Sequence, residues 1–484
     1  MHKRQSKRAQ IIQLTIIYSL MSLAVIALVA VLALVVMNYR FNVATGTLEQ
    51  RGLIQFASTP SGATVEVDAT TLPSKTSTKY SVDAGEHRFA VWREGYETWH
   101  KAATIQAGSL TWFNYIRLVP KDRPVKEISS YAAIHASLAS PTQRSILLHI
   151  EADRPVFRLV DVSSTTPQGQ TLVLPPTVYA APSSVETPTP PPVVTDLVRW
   201  DESGRYVLLK ITQEAQTEWV VMDTQNIAQS VNVTREFSLS IAAADFSGRS
   251  GNILYILSDH TVRRLDITGG TISRALADNA ADFRLYDDNA FVYTTRPSDS
   301  GTHALGVYRD GDLQPHLLRS DIPSATPLSA AIMTYYGVTY TAISEGAALT
   351  MYRGQLDNGI EGLTKIGTYT IGAPINSVEF NSTGSHVVAR AGSTYATYSV
   401  EDARLTSMQL PRGASADFTW IDAMHLGVVI DGVLTMRDID GSNIVALMPA
   451  IAGQMHMLSR NGTFVYSIGT RDSGATLQRI TMVL

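Results

Sequence analysis

One stretch limits what this chain can become. From Ile11 to Met37 it reads IIQLTIIYSLMSLAVIALVAVLALVVM, with no charged residue, no proline and no glycine. As a helix, at about 1.5 Å per residue, it reaches roughly 40 Å, more than the roughly 30 Å hydrocarbon core of a bilayer. Lipid offers the backbone no hydrogen-bond partner, so a crossing segment must satisfy itself, as a helix showing Leu, Val, Ile and Ala on every side does. The reading is a retained membrane anchor over residues 11–37. The alternatives are a buried core helix and the apolar part of a cleaved signal peptide. Signal-peptide apolar regions run only about 7–15 residues, and Asn42-Val43-Ala44 is a weak cleavage site.

The flanks orient the helix. Lys3, Arg4, Lys7 and Arg8 precede it and no acidic residue does. The positive-inside rule keeps residues 1–10 in the cytoplasm as a basic tail and sends everything beyond Met37 outside. Setting those four basic residues aside leaves 35 basic against 43 acidic residues in a chain of 484. That balance argues against a nucleic-acid partner or a polybasic lipid-binding surface. The length predicts two or three domains after the anchor, and 45% hydrophobic residues suffice for packed cores. There is no cysteine, which excludes disulfides, thiolate catalysis and Cys-ligated metals. An exported chain without disulfides must hold itself by packing, which suits a large β-structure.

Residues 38–50 read as a polar spacer beside the membrane. A compact β-pattern then begins. Leu53-Ile54-Gln55-Phe56 reads as a strand, Ser58 to Gly62 as a turn, and Thr64 to Asp68 alternates with period two. Gly85 to Trp92 forms the next strand, and a last pair covers Thr98–Ile105 and Thr111–Leu118, giving a small antiparallel sandwich. Within it stand Gly52-Leu53-Ile54, Thr59-Pro60-Ser61-Gly62-Ala63, Val65-Glu66-Val67-Asp68, Ala84-Gly85-Glu86-His87 and Arg93-Glu94-Gly95-Tyr96-Glu97, in that order. Residues 51–120 thereby resemble a PEGA domain, named for its Pro-Glu-Gly-Ala turn, with Ser61 where the name-giving Glu would stand. The resemblance implies a β-sandwich of bacterial and archaeal surface proteins, often beside a membrane anchor, and no enzymatic activity. Trp92, Tyr96, Trp99 and Trp112 read as sandwich core, with an aromatic face for sugars as the alternative.

From residue 126 to 484 short strands recur at regular spacing. The clearest phrase is Val198-Arg199-Trp200-Asp201-Glu202-Ser203-Gly204-Arg205-Tyr206-Val207-Leu208-Leu209, and its form returns at Val378–Ala389 and Met457–Ser467, more weakly at Ala244–Ile256 and Phe418–Ile430. The spacing is close to the roughly 40–45 residues of a four-stranded propeller blade. Units begin near Ile128, Val194, Ile241, Asp282, Leu328, Ile375, Asp417 and Met455. The expectation is a β-propeller of eight blades, with seven as the alternative count and an array of sandwiches as the alternative fold. The phrase resembles WD40-like and TolB-type propeller repeats, in which a D-x-x-G turn links the first two strands; no Gly-His or Trp-Asp signature recurs. Residues 175–194 are rich in proline, which cannot donate to a sheet ladder. They read as a loop between the first two blades, with a peptide-ligand role for Pro188–Pro192 as the alternative.

Signatures of chemistry are missing. No Gly-x-Ser-x-Gly elbow, His-Glu-x-x-His, phosphate-cradling loop or dinucleotide fingerprint occurs. Asp438-Ile439-Asp440-Gly441-Ser442-Asn443 has the flavour of a calcium loop, but its glycine comes two residues early for an EF-hand and the closing Glu is absent, so a hairpin turn is expected. The histidines stand apart, and Asn232-Val233-Thr234, Asn381-Ser382-Thr383 and Asn461-Gly462-Thr463 match the glycosylation acceptor by short pattern alone. No catalytic, cofactor-binding or metal residue is assigned and no cofactor is expected. The chain reads as a mainly β, non-enzymatic binding or scaffold protein at the cell surface. Its partners are the bilayer, through residues 11–37, and an envelope protein or glycan. The rival is an enzyme acting on glycans or small molecules at the propeller mouth.

Overall fold

The computed structural model describes residues 7–42, 47–180, 192–248, 250–357, 359–471 and 474–484, and divides the chain into two compact units, residues 1–122 and 123–482. The first unit opens with α1 (Lys7–Val36). Its apolar part, Leu14–Val36, is long enough to cross a membrane, and none of it is buried. By length and composition it suits an anchor or a signal sequence. The spacer expected over 38–50 is instead a two-stranded antiparallel ribbon, β1 (Tyr39–Asn42) and β2 (Thr47–Gln50).

Two sheets follow, built from β3 (Gly52–Thr59), β4 (Thr64–Val67), β5 (Thr70–Thr71), β6 (Thr78–Val82), β7 (Gly85–Trp92), β8 (Trp99–Ile105) and β9 (Leu110–Arg117). One sheet has the order β6-β3-β9, the other β5-β4-β7-β8. The period-two pattern decides which side chains go inward. Ile54 and Phe56 meet Val65, Val67, Phe89 and Val91 across the interior, and Phe113 stands 5.2 Å from Phe89 and 5.6 Å from Trp99, centroid to centroid. Gly52 has a steric reason: a Cβ there would lie 2.3 Å from Ile105 Cγ2. The expected antiparallel sandwich needs two corrections. β8 and β9 do not pair with each other; β8 pairs with β7, and β9 crosses to the other sheet and runs parallel to β3. Alternation is the same whichever sheet a strand joins, so the pattern could not reveal the crossing.

The second unit is a succession of four-stranded antiparallel meanders. Among the described residues eight such sheets occur, and their first strands are Ala136–Ala139, Val194–Trp200, Ile241–Phe246, Ala280–Asp287, Leu328–Tyr335, Ser377–Phe380, Ala414–Asp422 and His456–Leu458. The eighth sheet is completed by β10 (Lys126–Tyr131), which pairs with Gly474–Thr481. Ile128, expected to open the first unit of the repeat, lies on this closing strand. The second strands are continuous apolar runs, such as Ile146-Leu147-Leu148 and Val207-Leu208-Leu209, buried on both faces. Alternate residues enter different cores. Leu147 packs with Val207 and Leu209 of the second sheet, whereas Ile146 and Leu148 pack with Tyr466 and Ile468 of the eighth. Shared cores join the second sheet to the third, and so on to the seventh. Gln478 of the eighth sheet donates to the carbonyl of Pro449 in the seventh, 2.5 Å away. The neighbour relations therefore return on themselves, as in a propeller.

Candidate functional site

The turn after each first strand sets the geometry. Asp201, fully buried, accepts hydrogen bonds from the backbone N–H groups of Arg205 (3.0 Å) and Tyr206 (2.8 Å) and from the Ser203 hydroxyl. Asn381 accepts from His386 N–H (3.1 Å) and donates to the carbonyl of Ala423 in the next sheet (2.9 Å). Ser140 and Ser459 fill the same position, their hydroxyls accepting from Ser145 N–H (3.0 Å) and Phe464 N–H (2.9 Å). Three residues on, Gln143, Gly204, Gly384 and Gly462 all have positive φ. A residue in the left-handed region turns the chain into the second strand, and glycine adopts it without penalty. The recurring acid, amide or hydroxyl is thus a structural fastener.

Two residues before the Asp201 and Asn381 fasteners the side chains carry charge, Arg199 and Glu379, whereas Leu138 and Met457 precede Ser140 and Ser459. Arg199 Nη1 donates to both carboxylate oxygens of Asp245, 2.6 Å each, from the second sheet to the third. Arg284, on the fourth first strand, donates to the carbonyl of Val378 (3.0 Å) and lies 3.6 Å from Glu379, on the sixth. Trp420 of the seventh donates its indole N–H to Glu379 (3.2 Å). Burial pushes the Asp245 carboxyl up, opposed by Arg199 and by Arg284; burial likewise pushes Glu379 up, opposed by Arg284 and the Trp420 N–H. The arginines keep about half their side-chain surface in solvent, 51% for Arg199 and 48% for Arg284. A cavity of about 540 Å³ opens beside Arg199 over the first four sheets, bordered by Trp200, Glu202, Phe246, Tyr286 and Asp288. The arrangement presents half-exposed cationic donors beside partly buried acids, suited to hydroxyls, carbonyls or an anionic group.

These residues were missed in the sequence. The signal that could have found them is positional: Arg199, Asp245, Glu379 and Trp420 each stand two places before the turn residue, Asp201, Ser247, Asn381 and Asp422. The four aromatics of the sandwich divide. Tyr96 and Trp99 are core, while Trp92 and Trp112 are 42% and 50% exposed, on different sheets, and form no shared platform.

Of the buried histidines, His149 stands beside His135, ring centroids 5.7 Å apart, and His425 and His456 are packed without a second imidazole. His149 Nε2–H donates to the Arg154 carbonyl (2.9 Å), and burial pushes its pKa down. His456, beside the Ser467 hydroxyl, is pushed down to about 4 by burial. His425 lies between Asp422 (2.7 Å) and Asp438 (3.4 Å); burial lowers its pKa, but the two carboxylates outweigh it and raise it to about 9. Asp438 begins the calcium-like stretch, which is a turn tied by the amide of Asn443 (2.9 Å) and the hydroxyl of Ser442. Among the described residues no group of three or more His, Asp or Glu could hold a metal ion. Asn381 and Asn232 are buried, the latter capping a short helix by accepting from Arg235 N–H (3.1 Å), so neither offers a glycosylation site. Most of the proline-rich stretch, residues 181–191 with all of Pro188–Pro192 but its last residue, lies outside the described residues; its start, Pro176–Tyr179, is a helical turn held by Asn232 of the second sheet and by Arg235 of the short helix after it.

Residues 51–121 match the family model of the PEGA domain. No curated protein matches the chain by sequence. Among solved structures it is similar to Kluyveromyces lactis Hsv2, at 11% identity and TM-score 0.40 over 67% of this chain and 100% of that one. It is similar also to the dihydro-heme d1 dehydrogenase NirN in complex with DHE, at 13% identity and TM-score 0.42 over 85% and 77%. A eukaryotic initiation factor follows at 10% identity and TM-score 0.42 over 76% and 91%. At such values nothing these proteins bind or do carries over to this chain.

Proposed function

We propose that this chain is a single-pass membrane protein with its N-terminus in the cytoplasm and its bulk outside the cell. Outside, a PEGA domain and an eight-bladed propeller of the WD40-like or TolB type bind or scaffold an envelope protein or glycan, without catalysis. The observation that carries this reading is α1, whose stretch from Leu14 to Val36 has no buried residue. So large an apolar surface is not sustained in water and calls for lipid. The PEGA match supports an extracellular setting. Eight sheets whose shared cores close on the first support a ring of blades, and a ring offers partners a rigid mouth.

Protease protection tests the topology. Added to intact cells, protease cleaves beyond Arg51 and leaves a protected fragment containing α1. Cleavage only after the membrane is opened overturns the orientation, and full-length protein in the soluble fraction overturns the anchor. For the partner, the purified protein co-sediments with peptidoglycan or envelope polysaccharide, and Arg199→Ala with Arg284→Ala weakens the retention. Undiminished retention moves the binding surface away from the first strands.

A second reading, an enzyme acting on envelope glycans, is favoured by one observation: two carboxyls on first strands, Asp245 and Glu379, are both pushed up by burial. It requires sugar release that Asp245→Asn and Glu379→Gln each abolish; no release by the unaltered protein removes it.

A further inference from the structure

The ribbon after α1 has two unlike faces. Tyr39 pairs with Gln50 and Phe41 with Leu48, and Arg40 pairs with Glu49. Partners in a ladder share a face and neighbours along a strand do not. One face therefore carries Tyr39, Phe41 and Leu48, with Gln50 beside Tyr39 at the helix end. The other carries Arg40, Thr47 and Glu49, where the Thr47 hydroxyl donates to Glu49 (2.9 Å). Phe41 is 58% exposed and Leu48 48%. A two-stranded ribbon alone is marginal in water, where an exposed cross-strand aromatic–aliphatic pair leaves most of its apolar surface wet.

The ribbon is also held to the helix end. Asn38, in the left-handed region at φ 61°, ends α1. Its carbonyl accepts from Arg51 N–H (3.0 Å), and its amide donates to the Arg51 carbonyl (3.2 Å). Gln50 donates to the Met37 carbonyl (3.1 Å), the last of the apolar stretch, and packs so closely on Gly108 that a Cβ there would lie 2.7 Å from its Oε1. Tyr39 thus stands three residues beyond Val36, the end of the lipid-suited helix, at a depth the helix itself determines. Tyr and other amphipathic aromatics favour that boundary, where one end meets acyl chains and the other water.

We infer that the strands Tyr39–Asn42 and Thr47–Gln50 form an interfacial ribbon, lying at the outer bilayer surface with Phe41 and Leu48 turned to the acyl chains and Arg40 and Glu49 to water and headgroups. The inference rests on the anchor reading. The absence of cysteine makes the test direct. Single cysteines are introduced as Phe41→Cys, Leu48→Cys, Arg40→Cys, Glu49→Cys and Val25→Cys in the full chain, labelled with NBD and reconstituted into phosphatidylcholine vesicles. Labels at 41 and 48 shift to the blue, lose quenching by aqueous iodide and gain quenching by shallow lipid nitroxides; those at 40 and 49 keep iodide quenching. Position 25 is quenched only by deep nitroxides. If 41 and 48 remain open to iodide while 25 is protected, the ribbon stands off the membrane and the inference falls alone. If 41 and 48 are shielded from both iodide and lipid nitroxides, protein covers them and the inference falls again. If 25 is open to iodide, the anchor reading itself fails.

Discussion

The sandwich of the first unit and the sheets of the second reach stability by opposite routes. The sandwich gathers its large rings into one place, with Phe56, Phe89 and Phe113 in mutual contact and Trp99 beside them. The second unit also gathers rings, Tyr255, Phe283, Tyr293 and Tyr308 around Phe291, but that cluster is one core among several. Each sheet splits its apolar residues between two neighbours, so every core is one of a series. A small domain without disulfides depends on a few aromatic anchors, whereas a repeat of sheets spreads the same dependence along the chain.

The largest expected effect lies in the sandwich. Phe113→Ala empties the meeting point of three rings and costs about 3–5 kcal/mol. Limited proteolysis then cuts within 51–121 before the second unit. If both units unfold together, the contrast between a single centre and a series of cores is broken.

Next come two buried histidines of the second unit, with opposite signs. His425 has its pKa raised from 6.5 to about 9, so its contribution is full below pH 6.5 and is lost as pH rises through about 9. His456 is depressed to about 4, so its contribution is present above pH 6.5 and is lost as pH falls through about 4. Each shift corresponds to about 3 kcal/mol over its window. Denaturant midpoints of His425→Gln and His456→Gln against pH check this, the first losing the alkaline decline and the second the acid one.

Asp201→Ala leaves the Arg205 and Tyr206 N–H groups without their acceptor and costs about 1–3 kcal/mol. Asn381→Ala behaves alike if the fastener is common to the repeat, and unequal melting losses sharpen the comparison between sheets. The smallest effect returns to the sandwich. His87 meets Asp68 at 2.5 Å, but that carboxylate is half exposed, and His87→Ala changes stability by less than about 1 kcal/mol. A larger loss on thermal melting shows that this rim is worth more than its exposure implies.

Much of the fold was legible. Period-two alternation marked the inward residues of the sandwich, and the recurring turn placed the opening of Val194, Ile241 and Leu328 on the first residue of a strand. The reason is that each signal is local: a turn needs its positive-φ residue and its acceptor within five positions. The candidate site was not legible, because Arg199 meets Asp245 across 46 residues and Arg284 meets Glu379 across 95. The same holds for the ribbon: Tyr39, Phe41 and Leu48 look scattered in a polar segment until register puts them on one face.

By itself the sequence determined that a helix of apolar residues leads the chain, that no thiol chemistry is available and that β-meanders repeat through the larger part. Only the tertiary structure decided that β9 runs parallel to β3, that Lys126–Tyr131 closes the last sheet and that charged side chains meet between first strands. Local hydrogen bonding and burial are encoded within a few residues, but which strand borders which depends on the whole chain finding one arrangement that leaves no sheet face uncovered.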